Sequence, residues 1–341
     1  MKNPRVSVLI LHKNGEEIIK NCLDSLKKTD YPNFETVVLL NGTEDDSEGI
    51  IKKYKVKIYK SKKNLGFAGG NNFLIERTKS KYVVLMNNDV EVDKNWLKEL
   101  VNFSEKNNAD VCQPKILSLK EKQMFDYAGA AGGFIDKYGY PFCRGRIFDK
   151  IERDNRQYNC NRRIFWACGS CMMIKREILE KSGLFDEDFF MYAEEVDLCW
   201  RINLVGGRIF NVYKSRVYHL GGYSIQKERL ESKKEFLVHR NSLLMFFKNY
   251  SRWSIIKLLI PRMALEITSG IVFPKKIPPI LKSFLWLFLN SRKIARKQKD
   301  VQKLREVDDK SMPIFQGSIA LSFFILKKRR FEELNGVKKC R

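Results

Sequence analysis

The sequence predicts an α/β fold, in which a mixed, mostly parallel sheet carries helices on both faces and a basic helical region follows. Over the first 115 residues, short β-branched runs alternate with amphipathic stretches, which is typical of parallel sheets. Aromatic residues make up 12% of the chain, enough for a core, so the composition excludes a disordered protein. After residue 250 the pattern changes to apolar runs broken by Lys, Arg and Pro.

Each element of the first 115 residues follows from its hydrophobic pattern. Four runs are predicted to be strands: Val6–Leu11, Phe34–Leu40, Val56–Tyr59 and Lys81–Met86. Three stretches with apolar residues at helical spacing are predicted to be helices: Glu16–Lys28, Phe67–Thr78 and Val92–Ser104. Ligands bind beyond the carboxyl ends of the strands in such sheets. The loops after Leu11, Leu40 and Met86 are therefore the places where we expect a site.

The next part of the chain has a weaker pattern. Residues 116–162 hold many Gly, Tyr, Arg and Asp residues, which predicts a loop-rich insertion. Strand character returns over Arg163–Lys175, and short strands are predicted within Gly206–His219. Helices are predicted to begin at Glu177 and at Glu194.

The positive charge is concentrated in the last quarter of the chain. The net charge is +24, and residues 251–341 hold 21 Lys+Arg and 7 Asp+Glu, so they carry +14 of it. Their cations flank the apolar runs Ile255–Ile260, Ile277–Leu289 and Ile319–Leu326. This arrangement suits an anionic membrane surface better than a nucleic-acid groove, so a nucleic-acid-binding protein is the weaker alternative. We therefore predict an α/β region over 1–250, which holds the strand-end site, and an amphipathic helical, membrane-associating region over 251–341, which can also pack as a cap.

No leader is predicted, and a membrane span over Met312–Leu326 is the weaker alternative. The first ten residues contain one apolar run that is too short for a signal peptide. The longest uncharged run, Met312–Leu326, has 15 residues, whereas a spanning helix needs about 20. We expect a cytoplasmic protein on the inner face of the membrane, with its eight cysteines reduced. Cys168 and Cys171 have the C-x-x-C spacing of a zinc site. A zinc site is the weaker alternative, because the chain has no second C-x-x-C.

Polar motifs stand at the predicted strand ends. Asn41 follows the second strand, and Asn64–Asn72 is a Gly-rich loop whose backbone amides could approach a phosphate. Asp89 follows the fourth strand, where a carboxylate suits a divalent cation bridging two phosphates. Taken singly, a turn or a helix cap explains each motif as well.

Three acids lie within four residues at the start of a predicted helix, Glu194–Asp197. Crowding and partial burial can raise the pKa of one of them and prepare it as a general base. The apolar residues Phe189–Tyr192 precede them, which argues against a purely solvated helix turn. His219 follows a predicted strand and precedes a Gly pair, which would let the backbone approach a ligand.

Together and in this order, the segments resemble family-2 inverting glycosyltransferases with the Rossmann-like GT-A fold, and among them the rhamnosyltransferase-like members. The resemblance runs from about Arg5 to about Tyr250. Residues 183–201 are similar to the family's run that ends in Glu-Asp-x-Asp-Leu-x-x-Arg, and residues 64–72 resemble its Asn-Leu-Gly-Phe-Ala-Gly-Gly-Asn stretch. Asn87-Asn-Asp89 stands at the family's D-x-D motif, and His219 matches its late metal-binding His.

The resemblance implies transfer of a sugar, with rhamnose as one candidate, from a nucleotide-diphosphate donor to a hydroxyl of a cell-surface glycan or lipid-linked acceptor. Asp89 and His219 would hold Mg²⁺ or Mn²⁺. Glu195 would be the general base, with Glu194 as the alternative, and Asp197 would orient the base or bind the acceptor. The nucleotide-sugar pocket would be lined by Asn41, Asn64, Gly66, Phe67, Gly69, Gly70 and Asn88.

Three positions depart from the family pattern. Leu40 replaces the usual nucleoside-contacting Asp, Asn87 replaces the first acid of the D-x-D motif, and Glu195 replaces an Asp. Because of Leu40 and Asn87, an inactive homologue is an alternative. A nucleotidyltransferase is another, although the N-terminal region has no basic Gly signature.

Overall fold

The computed structural model describes residues 3–221, 229–334 and 336. Its strands are β1 Val6–His12, β2 Phe34–Asn41, β3 Lys57–Ser61, β4 Tyr82–Asn87, β5 Val90–Val92, β6 Val111–Ser118, β7 Gly133–Ile135, β8 Pro141–Cys143, β9 Arg146–Ile147, β10 Lys150–Ile151, β11 Arg162–Arg163, β12 Cys171–Lys175 and β13 Ile209–His219. Its helices are α1 Glu16–Leu26, α2 Ser47–Ile51, α3 Gly66–Glu76, α4 Trp96–Asn107, α5 Arg176–Ser182, α6 Glu194–Leu204, α7 Arg229–Asn249, α8 Arg252–Val272, α9 Ile277–Leu289, α10 Ser291–Lys303 and α11 Ile319–Phe324.

The centre of the fold is a mixed sheet, which has nine strands within the described residues. Its order is β11-β13-β6-β12-β4-β1-β2-β3, and β5 pairs with the end of β13. The strands β4, β1, β2 and β3 run parallel, as do β6 and β13, whereas β12 is antiparallel to both of its neighbours. Residues 6–10 of β1 are buried, as expected for a strand that is covered on both faces. The prediction of a mixed, mostly parallel sheet with packed helices is confirmed.

Three predicted elements differ in detail from the structure. The predicted helix over Val92–Ser104 is wrong at its start, because residues 90–92 pair with β13 and α4 begins only at Trp96. The strand predicted over 163–175 is wrong over residues 164–170, which lie between the two-residue strand β11 and β12. Gly169 lies in this gap, and an added Cβ there would lie 2.6 Å from the Phe67 ring. The short strands predicted before His219 form one long strand with an irregularity in its pairing to β6. The loop-rich insertion also contains a small sheet of β7, β8, β9 and β10.

The C-terminal region is helical, as predicted, and it packs on the rest of the chain. The backbone amides of Glu306 and Val307 donate to the carbonyl oxygen of Leu204. The Phe331 ring lies 5.0 Å from the Phe134 ring, between centroids. A helical cap therefore covers part of the first 250 residues, while the division at residue 250 stays a prediction.

The membrane-span and zinc alternatives find no counterpart in the described part of the chain. None of the helices there is both long enough and apolar enough to cross a bilayer. No group of three or more His, Cys, Asp or Glu side chains there is arranged to hold a metal ion by itself, so the cysteines form no four-thiolate site among the described residues. Six cysteines are buried free thiols: Cys22, Cys112, Cys143, Cys168, Cys171 and Cys199. Cys160 is disulfide-bonded, so the expectation that every thiol is reduced is wrong at this position.

Candidate active site

The site begins where β4 ends, at Asp89 and His219. Antiparallel pairing of β5 with β13 sets Val90 opposite His219, and the amide of Leu220 donates to the Asp89 carbonyl oxygen at 3.0 Å. The Nε2 atom of His219 consequently lies 3.2 Å from Oδ1 of Asp89. Both side chains are largely buried. The strand that the sequence analysis missed is thus what brings the two predicted metal ligands together.

Asp126 completes this cluster, and the sequence analysis missed it. Its Oδ1 atom lies 2.9 Å from Nδ1 of His219, on the opposite side of the ring from Asp89. Burial alone would lower the pKa of His219, but hydrogen bonds and charges from Asp126 and Asp89 raise it to about 10. Both ring nitrogens thus face a carboxylate, which fixes the orientation of the ring. A metal ion between Nε2 and Asp89 would have to replace the proton that the two side chains share there.

Asn88 and Asn87 lie beside this cluster. Nδ2 of Asn88 is 2.8 Å from Nδ1 of His12, at the end of β1, and Nδ2 of Asn87 is 3.5 Å from Nε2 of His219. Burial lowers the pKa of His12 to about 4, against the charge of Asp45, so its imidazole is neutral at pH 7. A neutral ring can accept the Asn88 hydrogen bond and hold that amide in place.

The Gly-rich loop is held together by two asparagines. Nδ2 of Asn41 donates to Oδ1 of Asn64 at 3.1 Å. The amide of Leu65 donates to Oδ1 of Asn41 at 2.8 Å, and the amide of Gly66 donates to Oδ1 of Asn64 at 2.9 Å. These backbone amides already have protein partners, so the expectation that the start of the loop offers free amides to a phosphate is not supported.

The same loop contacts the turn that precedes the acids. Gly66 has a φ of 70°, and an added Cβ would lie 2.8 Å from the carbonyl oxygen of Phe190. The amide of Phe67 donates to that oxygen at 3.2 Å. Only glycine fits at position 66, because any side chain would push the loop and the turn apart.

The other predicted pocket residues of this loop serve close packing. An added Cβ on Gly70 would lie 2.9 Å from a methyl carbon of Leu11, so this glycine lets α3 approach β1. An added Cβ on Gly69 would lie 3.6 Å from the carboxyl carbon of Glu187. The Phe67 ring contacts Phe185 edge-on, with centroids 5.8 Å apart.

Glu194 and Glu195 begin α6 directly after a strained turn. Phe190, Tyr192 and Ala193 all have positive φ, which is unusual for residues other than glycine and clusters at functional sites. Glu194 is buried and Glu195 is half-buried. The Oε2 atom of each has no hydrogen-bond partner among the described residues.

The surroundings of these two acids make them stronger bases than ordinary carboxylates. Burial raises the pKa of Glu194 well above its usual range, and the charge of Glu195 raises it further. Burial also raises the pKa of Glu195. Two neighbouring acids with raised pKa values and unpaired oxygens are suited to accept a proton from a bound hydroxyl.

Asp197 has a different environment from the other two acids. It is fully buried, and its Oδ2 atom accepts from Nζ of Lys248 at 2.9 Å and from Nε of Arg201 at 3.1 Å. Its Oδ1 atom accepts from Nδ2 of Asn249 at 2.9 Å. Burial opposes ionisation, but Lys248 and Arg201 hold the pKa of this carboxyl below its usual value. Asp197 therefore ties α6 to α7.

The acids and the His219 cluster approach the same segment, at Cys168. An added Cβ on Gly129, three residues after Asp126, would lie 2.4 Å from the Cβ of Cys168. Burial raises the pKa of the Cys168 thiol, and the charge of Glu195 raises it further. The amide of Asn87 donates to the carbonyl oxygen of Ser170 at 3.0 Å. The 168–170 loop is thus contacted by Asn87, two residues before Asp89, and its Cys168 is close enough to Glu195 for that charge to act on the thiol.

Known proteins share this arrangement of sequence and fold. The sequence profile of glycosyl transferase family 2 matches residues 7–183. The rhamnosyltransferase WbbL of Escherichia coli (strain K12) is 23% identical over 248 residues, which cover 71% of this chain and 92% of WbbL. The O-antigen biosynthesis protein RfbC of Myxococcus xanthus is 26% identical over 228 residues, which cover 63% of this chain but only 17% of RfbC.

A solved structure supports the same assignment at the level of the fold. The crystal structure of GalNAc-T7 with UDP, GalNAc and Mn²⁺ aligns with a TM-score of 0.58 and 17% identity, covering 73% of this chain and 49% of that one. The chain spans only 17% and 61% of the lengths of two of its relatives, RfbC and the hexosyltransferase Agl10 of Haloferax volcanii. Because the family profile matches more than half of the chain and the sheet is that of the GT-A fold, this protein belongs to glycosyl transferase family 2.

Proposed function

We propose that this enzyme transfers a sugar from a nucleotide-diphosphate donor to an acceptor hydroxyl in a metal-dependent reaction that inverts the anomeric carbon. The observation that carries the proposal is the pair of acids Glu194 and Glu195, which have raised pKa values and unpaired oxygens. The proximity of Asp89 to His219 supports it.

Glu195 is the proposed general base. An alcohol is a poor nucleophile until its proton leaves, and a buried carboxylate with a raised pKa accepts that proton readily. As the acceptor oxygen bonds to the anomeric carbon, the bond from that carbon to the diphosphate breaks on the opposite face, and the proton moves to Glu195. A single displacement of this kind inverts the configuration. Glu194 is the alternative base, since its oxygen is also unpaired.

Asp89 and His219 are the residues that would hold a divalent cation, with Asp126 fixing the His219 ring. A carboxylate and an imidazole suit Mn²⁺ or Mg²⁺, and two protein ligands leave positions for donor oxygens. When bound, the cation offsets the charge that develops on the departing diphosphate. The proposal is consistent with the Mn²⁺ named in the GalNAc-T7 structure.

The donor pocket is proposed between the Gly-rich loop and the end of β4. Asn88 and the half-buried Phe67 present side chains there, whereas Asn41, Asn64, Gly66, Gly69 and Gly70 shape the loop. Rhamnose is one candidate sugar, since WbbL is a rhamnosyltransferase, and the UDP of the GalNAc-T7 structure fits a nucleoside-diphosphate donor.

The acceptor is proposed to be a growing cell-surface glycan or a lipid-linked precursor, in line with the O-antigen name of RfbC. Such an acceptor is presented at a bilayer, so we propose that the enzyme is cytoplasmic and peripheral on the inner face of the membrane. The net charge of +14 in residues 251–341 supports this location, and nucleic acid is not among the proposed partners.

A donor panel tests the proposal. The full chain is incubated with deoxythymidine-, uridine- and guanosine-diphosphate sugars, Mg²⁺ or Mn²⁺, and a lipid-linked glycan fraction. We expect release of a nucleoside diphosphate with one donor class, loss of release in excess chelator, and a product with inverted anomeric configuration by NMR. Release of pyrophosphate would indicate a nucleotidyltransferase, retained configuration would refute the mechanism, and full activity in chelator would refute the metal. Nucleotide binding without turnover of any donor would indicate an inactive homologue.

A further inference from the structure

We propose that the outer sides of α8, α9 and α11 form one continuous surface that inserts into an anionic lipid bilayer. We call it the lipid-facing surface, and it consists of Trp253, Ile256, Ile260, Ile267, Ile271, Phe273, Leu281, Leu285, Phe288, Leu289, Leu321, Phe324, Ile325 and Leu326. This surface would explain how the enzyme stays at the membrane. It rests on the proposed function, because the enzyme would need the membrane in order to reach a lipid-linked acceptor.

The helix α8 exposes apolar side chains and buries charged ones, which is the reverse of a typical surface helix in a globular protein. Exposed apolar side chains recur every three or four residues along it, at positions 253, 256, 260, 264, 267 and 271, and Ile260 is 80% exposed. Its buried side holds the charged pair Arg262 and Glu266. Exposing isoleucine while burying arginine is unfavourable in water, unless another apolar phase covers the exposed side.

The buried side of α8 fixes this orientation. Glu266 accepts from Nη2 of Arg262 at 2.7 Å and from the hydroxyl of Tyr140 at 2.9 Å, and its second oxygen lies 2.7 Å from Nδ1 of His239. Rotating the helix to bury its isoleucines would break every one of these contacts. These buried contacts therefore keep the apolar side of α8 on the protein surface.

The helix α9 extends the apolar surface. Leu281, Leu285 and Phe288 lie three or four residues apart on one side of α9, and Phe288 is 76% exposed. The opposite side packs on α7, where Oγ of Ser283 donates to the carbonyl oxygen of Phe236 at 3.3 Å. The ring centroids of Phe273, after α8, and Phe324, in α11, are 6.3 Å apart. This contact joins the third apolar segment to the first two.

The charges around this surface match an anionic leaflet. The only acid within residues 252–289 is Glu266, which is buried, so the exposed charges of that segment are all positive. Lys257 and Lys282 lie within the two helices, and Lys275 lies in the turn between them. Lys327, Arg329 and Arg330 directly follow the α11 segment. Lysine and arginine at such positions can reach headgroups while the apolar side chains enter the acyl region.

A second copy of the chain is a less suitable occupant. In a symmetric dimer the same patch would face itself, and its cations would be brought together without acids to pair with them. Phosphatidylglycerol headgroups instead neutralise these charges. The cation pattern therefore favours a bilayer as the occupant.

The lipid-facing surface is close to the acidic turn through a single helix. The guanidinium carbon of Arg240, in α7, lies 4.9 Å from the centre of the Trp286 ring of α9. Nη2 of the same arginine donates to the carbonyl oxygen of Asp188 at 2.9 Å. A bilayer on the outer side of α9 would therefore lie near the segment that carries Glu194 and Glu195.

The test uses Trp253 as a probe, because its side chain is 74% exposed on this surface. The full chain is mixed with vesicles of phosphatidylcholine and brominated phosphatidylglycerol, and tryptophan quenching and co-sedimentation are measured. We expect binding that falls at least tenfold in 0.5 M salt or with phosphatidylcholine alone, and quenching that is largely lost in Trp253→Phe. Neither readout depends on activity, so failure here is distinct from failure of the proposed transferase.

Paired variants locate the contact. Leu285→Glu with Phe288→Glu should lower vesicle affinity at least tenfold, and Lys275→Glu with Lys282→Glu should lower it for anionic vesicles. Lys53→Glu, an exposed cation of the first region, changes the net charge but should leave binding unchanged. Normal vesicle binding by the Leu285/Phe288 variant, absence of quenching, or a stable dimer that does not bind vesicles would overturn the proposal. Circular dichroism confirms that each variant folds.

Discussion

The side-chain amide of Asn241 donates a hydrogen bond of 2.7 Å to the carbonyl oxygen of Tyr192, two residues before the first acid of α6. The same nitrogen lies 2.8 Å from the carbonyl oxygen of Met191 and 3.1 Å from that of Phe189. Asn241 is fully buried in α7. One side chain thus holds a turn in which three residues, Phe190, Tyr192 and Ala193, have strained positive φ values. The turn before the proposed base is therefore held by α7, which is part of neither the central sheet nor the Gly-rich loop.

The first prediction concerns this positioning role. Asn241→Ala removes the donor and lets the turn relax, so turnover should fall at least about tenfold while the KM for the donor changes little. Steady-state kinetics with varied donor measure the split. Asn107→Ala is the matched control, since this exposed asparagine makes one hydrogen bond to a helix carbonyl in α4. An equal rise in donor KM, or unchanged turnover, would contradict the positioning role.

The second prediction assigns the base. Glu195→Gln keeps the shape of the side chain but cannot accept a proton, so turnover should drop at least about a hundredfold with donor binding nearly unchanged. Glu194→Gln should have a smaller effect on turnover. Single-turnover kinetics and donor titration separate the two quantities. Near-normal turnover in Glu195→Gln, with a large loss in Glu194→Gln, would move the assignment to Glu194.

The third prediction is a pH dependence of stability. Because the pKa of Glu194 is raised in the folded protein, the folded state binds more protons than the unfolded state once the pH exceeds the unfolded value. The free energy of unfolding should therefore fall as the pH rises from about 4.5 towards the raised pKa. Glu194→Gln removes this loss, so its Tm should exceed that of the unaltered protein at pH 8 but not at pH 4. A Tm difference that is the same at both pH values would argue against a buried, proton-binding Glu194.

The fourth prediction concerns Asp126, which contacts the proposed metal ligand His219 and is not itself proposed to bind the cation. Asp126→Asn removes the charge that orients the ring, and losses of about 10–100-fold in metal affinity are typical of such changes. The Mn²⁺ concentration for half-maximal activity should rise accordingly, and electron paramagnetic resonance should report weaker Mn²⁺ binding. Asp149→Asn, at an exposed carboxylate, is the control. Unchanged Mn²⁺ affinity in Asp126→Asn would show that this carboxylate has no part in metal binding.

The central sheet could be predicted because its strands are short apolar runs with regular spacing. β1, β2 and β4 lie within about a residue of their predicted bounds. β5 was missed because three residues carry little pattern, and its pairing depends on β13, more than a hundred residues later. The positions of Asp89 and His219 next to one another follow from that long-range pairing.

Two other features of the site have no local signal. Asp126 lies in a loop-rich segment without periodicity, so nothing near it in the sequence marks it as the partner of His219. The amides of Leu65 and Gly66 were expected to be free, but side chains of Asn41 and Asn64 occupy them. Asparagine at a strand end can bind a ligand or hold a turn equally well, and only the folded geometry distinguishes the two.

The role of Asp197 could not be predicted from the sequence either. Its neighbours Glu194 and Glu195 are the proposed general base and its alternative, so the sequence suggests a similar role for Asp197. The sequence placed it in one acidic cluster with Glu194 and Glu195. In the fold, α6 turns it towards Lys248 and Asn249 of α7, where it becomes the anion of a buried network. Lys248 also pairs with Asp186, at 2.7 Å. Its effect should therefore appear in stability.

The last prediction follows from that network. Asp197→Asn leaves Arg201 without its buried anion and Lys248 with Asp186 as its remaining anion, and breaking a buried pair costs about 3–5 kcal/mol. Because the pKa of Asp197 is lowered by folding, its contribution is present above its unfolded pKa, near 4, and is lost as the pH falls further. Urea unfolding should therefore show a large loss for Asp197→Asn at pH 7 that shrinks at pH 3. Asp300→Asn, at an exposed carboxylate paired with Lys303, should change little at either pH. A loss below about 1 kcal/mol at pH 7 would indicate that water reaches Lys248 and that the network does not depend on Asp197.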